Sequence, residues 1–372
     1  MPVKDLHDKP FSDETITKLS IFEDYTKEWL PVFIMTAKEI CIYDFFAGTG
    51  YDLNEVAGSP IRILTKIFEQ LDNIISQRVI VHIYFNEYKK DKFKILKANC
   101  DSFINEHPQF QNAVNLSLVR IEYENEEFSV TFSKHLSKMQ TMPALIFLDQ
   151  NGVKYLTAEY LQKLVDIEKV DFLYFVSSSY YLRFGETKEF QNSIQFDLNI
   201  LKNGDYKRCH LGLVNELNSL IPNTSKVHLY PFTIKKKSNI YGIVFGARHP
   251  LAIEKFLRVA WKNNPTNGLA NFDIDNDDIK DSQPDLFGHV ELTKIQKFQK
   301  DVENKVLSKE LKTNKDVYFY TLKAGHIPEH SGDVLKKLKK GGKIMYAERT
   351  PYISYDKVCK ESIIIEYQIL GE

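Results

Sequence analysis

The apolar run Ile40-Cys41-Ile42-Tyr43 leads straight into Asp44-Phe45-Phe46-Ala47-Gly48-Thr49-Gly50, a strand that ends in a glycine turn. No other stretch of the 372 residues restricts the fold so strongly. Gly48 and Gly50 carry no side chain, so the backbone can bend sharply there and approach a bound molecule closely. Asp44, last in the strand, can orient the loop. Such a turn belongs to α/β domains that hold nucleoside cofactors at the carboxyl ends of their strands.

The motif is not the dinucleotide fingerprint G-x-G-x-x-G. Its D-x-F-x-G-x-G form is similar to that of class I S-adenosylmethionine methyltransferases, so a Rossmann-like domain with S-adenosylmethionine as cofactor is expected rather than one with NAD. Asp44, Phe46, Gly48 and Gly50 would line the cofactor.

At 43% hydrophobic the chain can bury a large core and is expected to form two domains. Lys plus Arg (49) nearly balances Asp plus Glu (50), so nucleic-acid binding has to come from a local patch rather than from a field of the whole molecule. No apolar run approaches the roughly 20 residues of a membrane span, and Met1-Pro2-Val3-Lys4-Asp5 lacks a signal-peptide core. A cytoplasmic protein with no membrane association is the expectation. Cys41, Cys100, Cys209 and Cys359 are widely separated with no C-x-x-C pair, which argues against a zinc or iron–sulfur site. No metal is expected.

Along the chain, Glu14 to Phe33 has helical spacing, and Gly58-Ser59-Pro60 starts a helix expected to run from Ile61 to Ile75. Val79 to Phe85 is a strand ending at Asn86-Glu87. Glu87 stands where a carboxylate would accept the ribose hydroxyls. A strand around Leu116 to Tyr123 leads to Glu127-Phe128, an acid and an aromatic placed to bracket an adenine ring. Pro143 to Leu148 is continuously apolar, as a central parallel strand should be, and ends in Asp149-Gln150-Asn151-Gly152. Asp149 would face the same crevice as Gly48. A fifth strand, Phe172 to Val176, and a hairpin of Val227 to Ile234 with Ile240 to Arg248 complete a seven-stranded, methyltransferase-type sheet. Ser177-Ser178-Ser179 lacks a nucleophile elbow, and no histidine stands in sequence to activate it.

Taken together, Lys18 with Phe22, Tyr25 and Trp29, the Asp44 to Gly50 turn, Gly58-Ser59-Pro60, Phe245-Gly246-Ala247-Arg248-His249-Pro250, Trp261-Lys262 and Gly268 to Asp275 give a chain that resembles the three-Cys-motif partner (TcmP) proteins of bacteria. The resemblance spans nearly the whole sequence. It implies a methyltransferase-like fold and a three-Cys-motif protein encoded nearby as partner, with no defined reaction to carry over.

That family commonly shows D-P-F/Y-G where this chain has Asp149-Gln150-Asn151-Gly152. The D-P-F-G form is similar to that of tRNA guanine N2-methyltransferases, in which the aspartate and the next carbonyl accept hydrogen bonds from an exocyclic amine. Asp149, Gln150 and Asn151 are therefore the catalytic candidates. Without an aromatic fourth residue, base stacking would fall to Tyr155, Tyr180 or Tyr181. Arg183 and His249 receive no role.

After an acidic linker, Asp273 to Pro284, which lacks the glycine and terminal glutamate of a calcium loop, a helix is expected over Leu292 to Leu311. Val317 to Leu322 (VYFYTL) reads as a strand and Gly332 to Lys340 as a basic helix closed by Gly341-Gly342. Two β-rich runs, Lys343 to Ala347 and Ser362 to Ile369, follow. This is a winged-helix-like α+β pattern, with Lys336, Lys337, Lys339, Lys340 and Lys343 facing phosphates. The alternative is a solvated helix face with Val334, Leu335 and Leu338 inward. The expected organisation is a methyltransferase-like domain over 1–272, a linker over 273–284 and a winged-helix-like domain over 285–372. Two functions follow: methylation of a base amine in RNA or DNA, or a non-catalytic scaffold in a bacterial defence or nucleic-acid-processing complex.

Overall fold

In a computed structural model the described residues are 10–150, 155, 157–180, 205–280 and 291–370. The chain divides into two units, Met1–Arg248 and His249–Glu372.

In the first unit, seven strands form one sheet: β1 (Glu39–Asp44), β2 (Ile80–Asn86), β3 (Val119–Glu124), β4 (Ala144–Leu148), β5 (Val170–Val176), β6 (His228–Lys236) and β7 (Asn239–Ala247). Their order is β3-β2-β1-β4-β5-β7-β6. The first five strands run parallel, and β7 enters antiparallel between β5 and β6. This is the seven-stranded sheet of a methyltransferase-type Rossmann fold. Every residue of β4 is buried, as its continuous apolar run requires of a strand covered on both faces. β1 and β4 are neighbours in register, Asp44 opposite Phe147. Their carboxyl ends therefore lie side by side at the edge of the sheet where open α/β folds bind ligands.

Helix α1 (Asp13–Ile34) buries Lys18, Phe22, Tyr25 and Trp29 along one stripe, the i, i+4, i+7, i+11 spacing of a single helical face. Phe22 stacks on Phe147 of β4 with centroids 4.0 Å apart. The single helix expected over Ile61 to Ile75 is two, α2 (Ser59–Phe68) and α3 (Leu71–Gln77). α4 (Lys90–Glu106), α5 (Pro108–Asn115), α6 (Phe128–Met139), α7 (Ala158–Asp166) and α8 (Cys209–Ser219) cover the sheet. The β6–β7 hairpin closes on the two residues Lys237-Ser238, with Lys237 in the left-handed region at φ 53°. All four cysteines are free, and Cys41, Cys100 and Cys209 are buried. Among the described residues no helix is long and apolar enough to cross a membrane.

The second unit starts earlier than the expected boundary at 272, because α9 (Pro250–Asn263) belongs to it. Glu254 of α9 accepts hydrogen bonds from Tyr318 Oη at 2.9 Å and from the Tyr355 amide at 3.1 Å, and Trp261 Nε1 donates to the Gly325 carbonyl at 3.0 Å. The acidic stretch is also folded in its described part. Asp277 is 1% exposed and accepts the Lys294 amide at 2.8 Å. Residues 281–284 lie outside the described residues.

Three helices follow, α10 (Lys294–Leu307), α11 (Asn314–Lys323) and α12 (Pro328–Lys340), and then the short wing strands β8 (Ile344–Met345) and β9 (Gln368–Ile369). VYFYTL is thus helical rather than a strand. A capping box of Thr313 and Asp316 starts α11, and Val317, Tyr318, Thr321 and Leu322 are buried, which is helical spacing. Tertiary burial of that face outweighs the β propensity of valine and tyrosine. The core joins Phe298, Val302, Val317, Leu335, Leu338 and Ile344. Helix, helix, helix and wing is a winged helix-turn-helix arrangement, with the basic α12 as its third helix.

Candidate active site and nucleic-acid interface

The turn after β1 is built as its glycines imply. Gly48 and Gly50 take φ of 67° and 87°, a region L side chains rarely enter. Gly58 donates its amide to the Gly50 carbonyl at 2.7 Å, and Asn99 Nδ2 donates to the Thr49 carbonyl at 2.7 Å. Asp52 holds the next loop by accepting the amides of Phe11 (2.6 Å), Asn54 (2.9 Å) and Val56 (2.8 Å).

Asp44 is completely buried. Its Oδ1 accepts the Phe46 amide at 3.2 Å, and its Oδ2 has no hydrogen-bond partner. Burial pushes its carboxyl up to about 7; the Ser59 hydroxyl and the Phe46 amide oppose the rise, Asp149 adds to it and Lys18 counters it. A buried, half-satisfied acid at the strand end is costly, and it stands beside the turn.

Glu87 follows β2 and reaches the same turn. Its Oε2 accepts the Gly48 amide at 3.1 Å and its Oε1 the Lys89 amide at 2.8 Å. Each oxygen keeps a lone pair for a further donor. The neighbouring Asn86, which the sequence marked only as a strand end, is a structural hub. Its Nδ2 donates to the carbonyls of Phe45 (3.2 Å) and Glu126 (3.1 Å), and its Oδ1 accepts the Glu126 amide at 3.1 Å. One buried amide thereby fixes the turn against the loop after β3.

Glu127 and Phe128 lie at that loop but differ from the expected adenine clamp. Glu127 caps α6 through the Ser129 amide at 2.8 Å and accepts the Tyr155 hydroxyl. Phe128 is 2% exposed, packed on Phe46 at 5.2 Å and on Tyr155 at 4.7 Å. The first turn of an amphipathic helix directs that ring into the core. Tyr155 is likewise committed, its amide donating to Gln150 Oε1 at 2.8 Å.

Asp149 comes straight after β4 and pairs through Oδ2 with Lys18 of α1. Sequence reading placed Lys18 on the helix without its partner; the signal was one lysine on an otherwise apolar stripe. Gln150 is buried, with Nε2 unpaired, so its side chain is internal to the loop. Asn151, like Tyr181 and Arg183, lies outside the described residues. Tyr180 stays exposed beyond β5, and His249 caps α9 in the second unit.

A cleft of about 1110 Å³ adjoins the glycine turn, lined among others by Thr49, Tyr51, Asp52, Tyr88, Lys92 and Asn99. Asp149 is not part of its lining. Tyr88, directly after Glu87, is 68% exposed.

Ser178 and His210, unconnected in sequence, are joined. Ser178 Oγ lies 2.7 Å from His210 Nδ1, and His210 Nε2 lies 3.0 Å from the Ile243 carbonyl. A carbonyl only accepts, so Nε2 carries the proton and Nδ1 accepts from the serine. Both residues are buried, and burial lowers His210 to about 4. The pair fastens the end of β5 to α8.

In α12 and just beyond it, the five lysines are not equivalent. Lys339 donates to the carbonyls of Tyr346 (2.9 Å) and Glu348 (2.7 Å) and lies 4.0 Å from the Tyr346 ring centroid, so it clasps the wing. Lys343 pairs with Glu303 at 2.8 Å and Lys336 with Asp333 at 3.3 Å. Lys337 and Lys340 are exposed. Val334, Leu335 and Leu338 point into the core.

The first unit is a methyltransferase-type Rossmann fold with its glycine turn and two acids at adjoining strand ends, and the second carries a winged helix-turn-helix domain. Comparison with known proteins matches residues 273–351 to the family of the GMT-like wHTH domain. No curated protein matches the chain. Among solved structures, Trm1 from Pyrococcus horikoshii in complex with S-adenosyl-L-methionine is similar at 10% identity and a TM-score of 0.36, over 68% of this chain and 61% of that one. The O-methyltransferase TomG from Streptomyces achromogenes, also in complex with S-adenosylmethionine, is similar at 11% identity and a TM-score of 0.32, over 65% of this chain and 91% of that one.

Proposed function

We propose that the protein is an S-adenosylmethionine-dependent methyltransferase acting on an exocyclic amine of a base in RNA or DNA. The observation that carries this reading is the convergence of the Gly48–Gly50 turn, buried Asp44 and Asp149 at the carboxyl ends of adjacent strands β1 and β4. The residues fit the cofactor. The unpartnered Asp44 Oδ2 suits an ammonium or an ordered donor, the positive-φ glycines allow close approach, and Glu87 retains lone pairs for ribose hydroxyls. When bound, the cofactor would supply an electrophilic sulfonium methyl group, held by the Gly48–Gly50 turn and Glu87. Asp149 would accept a hydrogen bond from the amine and aim its lone pair, so the protein's contribution is orientation. Stacking of the base falls to residues outside the Asp149–Gly152 segment, since Gln150 is turned inward.

The winged helix would hold the nucleic acid through exposed lysines of α12, giving affinity without sequence information. We further propose a three-Cys-motif protein as partner and the cytoplasm as location, in keeping with the TcmP resemblance. A scaffold without catalysis is the second reading, favoured by the inward Gln150.

Calorimetric titration with S-adenosylmethionine, with Gly48→Asp as control, tests the proposal. Micromolar binding lost in the variant supports it; no binding with or without the partner makes the scaffold the better reading.

A further inference from the structure

Lys18 is 8% exposed and Asp149 21% exposed at the side chain. The lysine approaches from the α1 side and lies 4.4 Å from the Phe175 ring centroid, while the aspartate keeps the more open position. Among the described residues, Lys18 is the one hydrogen-bond partner of the Asp149 carboxylate, and it takes Oδ2. A buried ion pair of this kind is a weak source of stability, because desolvating both charges offsets their attraction, and apolar replacements are often neutral. Its location offers a better account. The terminal torsion of an aspartate is broad, so a lone carboxylate at the end of β4 would sample many orientations. An ammonium fixed from behind by an aromatic face and a docked helix holds one oxygen and leaves Oδ1 without a hydrogen-bond partner among the described residues.

We propose that Lys18 is a positioning residue that fixes the Asp149 carboxylate in the plane needed to orient the substrate amine. This rests on the methyltransferase reading above. Lys18 acts through Asp149 and not on the substrate, so its effect vanishes when Asp149 is gone.

The test uses the full chain as wild type, Lys18→Met, Lys18→Arg, Asp149→Ala and the double variant Lys18→Met/Asp149→Ala. Methyl transfer from labelled S-adenosylmethionine is measured on transcribed, unmodified RNA and on denatured DNA, and cofactor Kd by calorimetry. Lys18→Met is expected to lower kcat by about 10–100-fold, with KM for the polymer and cofactor Kd unchanged. Lys18→Arg restores most of the rate, and Lys18→Met adds no further loss to Asp149→Ala. A second readout is the lysine ammonium resonance of Lys18 in ¹⁵N-labelled protein, present in the wild type and absent in Asp149→Ala. An unchanged kcat in Lys18→Met, an equal loss in the Asp149→Ala background, or cofactor binding that falls with the rate overturns the proposal while leaving the methyltransferase reading intact. Absence of the ammonium signal in the wild type does the same. A wild type that transfers no methyl group to either polymer overturns the reading itself, and the proposal with it.

Discussion

Glu87 Oε2 accepts the Gly48 amide at 3.1 Å, so the acid that ends one strand shapes the turn that ends its neighbour. The carboxylate thus organises the loop before any ligand arrives. Glu87→Ala is expected to cost about 1–2 kcal/mol in urea unfolding, since a charge-assisted hydrogen bond is removed, and to weaken S-adenosylmethionine binding. Glu87→Gln, which keeps an acceptor, should lose less of both. Equal losses in the two variants would contradict the organising role.

Two glycines predict opposite outcomes. A Cβ on Gly242 of β7 would stand 2.2 Å from the His210 ring, whereas one on Gly332 in α12 meets nothing within 4 Å. Gly242→Ala should destabilise the first unit by about 1–3 kcal/mol through overpacking. Gly332→Ala should stabilise the second by about 0.5–1 kcal/mol through reduced unfolded-state entropy. Thermal unfolding of each variant checks both signs.

Asp171 gives a pH dependence. It is buried against the Tyr25 hydroxyl at 2.7 Å, and burial pushes its carboxyl up to about 7. The folded state then holds a proton that the unfolded chain releases near pH 4. Its contribution is complete below about pH 4 and is lost as pH rises to about 7. Buried histidines with lowered values, such as His210, slope the other way, so the quantity to measure is the difference between wild type and Asp171→Asn. That difference should shift against the wild type by up to about 4 kcal/mol between pH 4 and 7. A flat difference would show that Asp171 does not titrate in this window.

For the winged helix, replacing Lys336, Lys337, Lys340 and Lys343 by alanine should flatten the salt dependence of nucleic-acid binding, by roughly 0.9 in the logarithmic slope for each phosphate of duplex DNA that is no longer neutralised. Lys339→Ala should instead lower the melting temperature with little change in slope, because its ammonium is engaged by the wing carbonyls. An unchanged slope in the fourfold variant would show that α12 does not meet the phosphates.

The strands were legible because burial on both faces leaves a continuous apolar run, as in Ala144 to Leu148, and because the glycine turn has few other uses. Val317 to Leu322 misled for a definable reason. Its side chains favour strands, but their burial follows a helical period that a six-residue window cannot separate from alternation. The boundary near residue 249 was hidden because Glu254 and Trp261 find their partners far along the chain, at Tyr318 and Gly325. The same holds for the candidate site. Asp44, Gly48 and Asp149 follow from local pattern, whereas the Lys18–Asp149 pair, the Asn86 hub and the Ser178–His210 bond join residues that nothing in sequence spacing connects. Glu127 and Phe128 stand at the expected place, yet helix capping and core packing claim them.

Lys236, at the tip of β6, donates to Ser12 Oγ at 2.6 Å across a separation of 224 residues. The start of α1 is therefore fastened by almost the last strand of its unit. At about 5–20 residues per second of synthesis, the helix leaves the ribosome tens of seconds before its anchor exists. Tyr25, whose ring meets Phe245 of β7 with centroids 4.8 Å apart, waits longer still for that part of its cover, so the packing of the first helix is completed only when the last strand of its unit has been made.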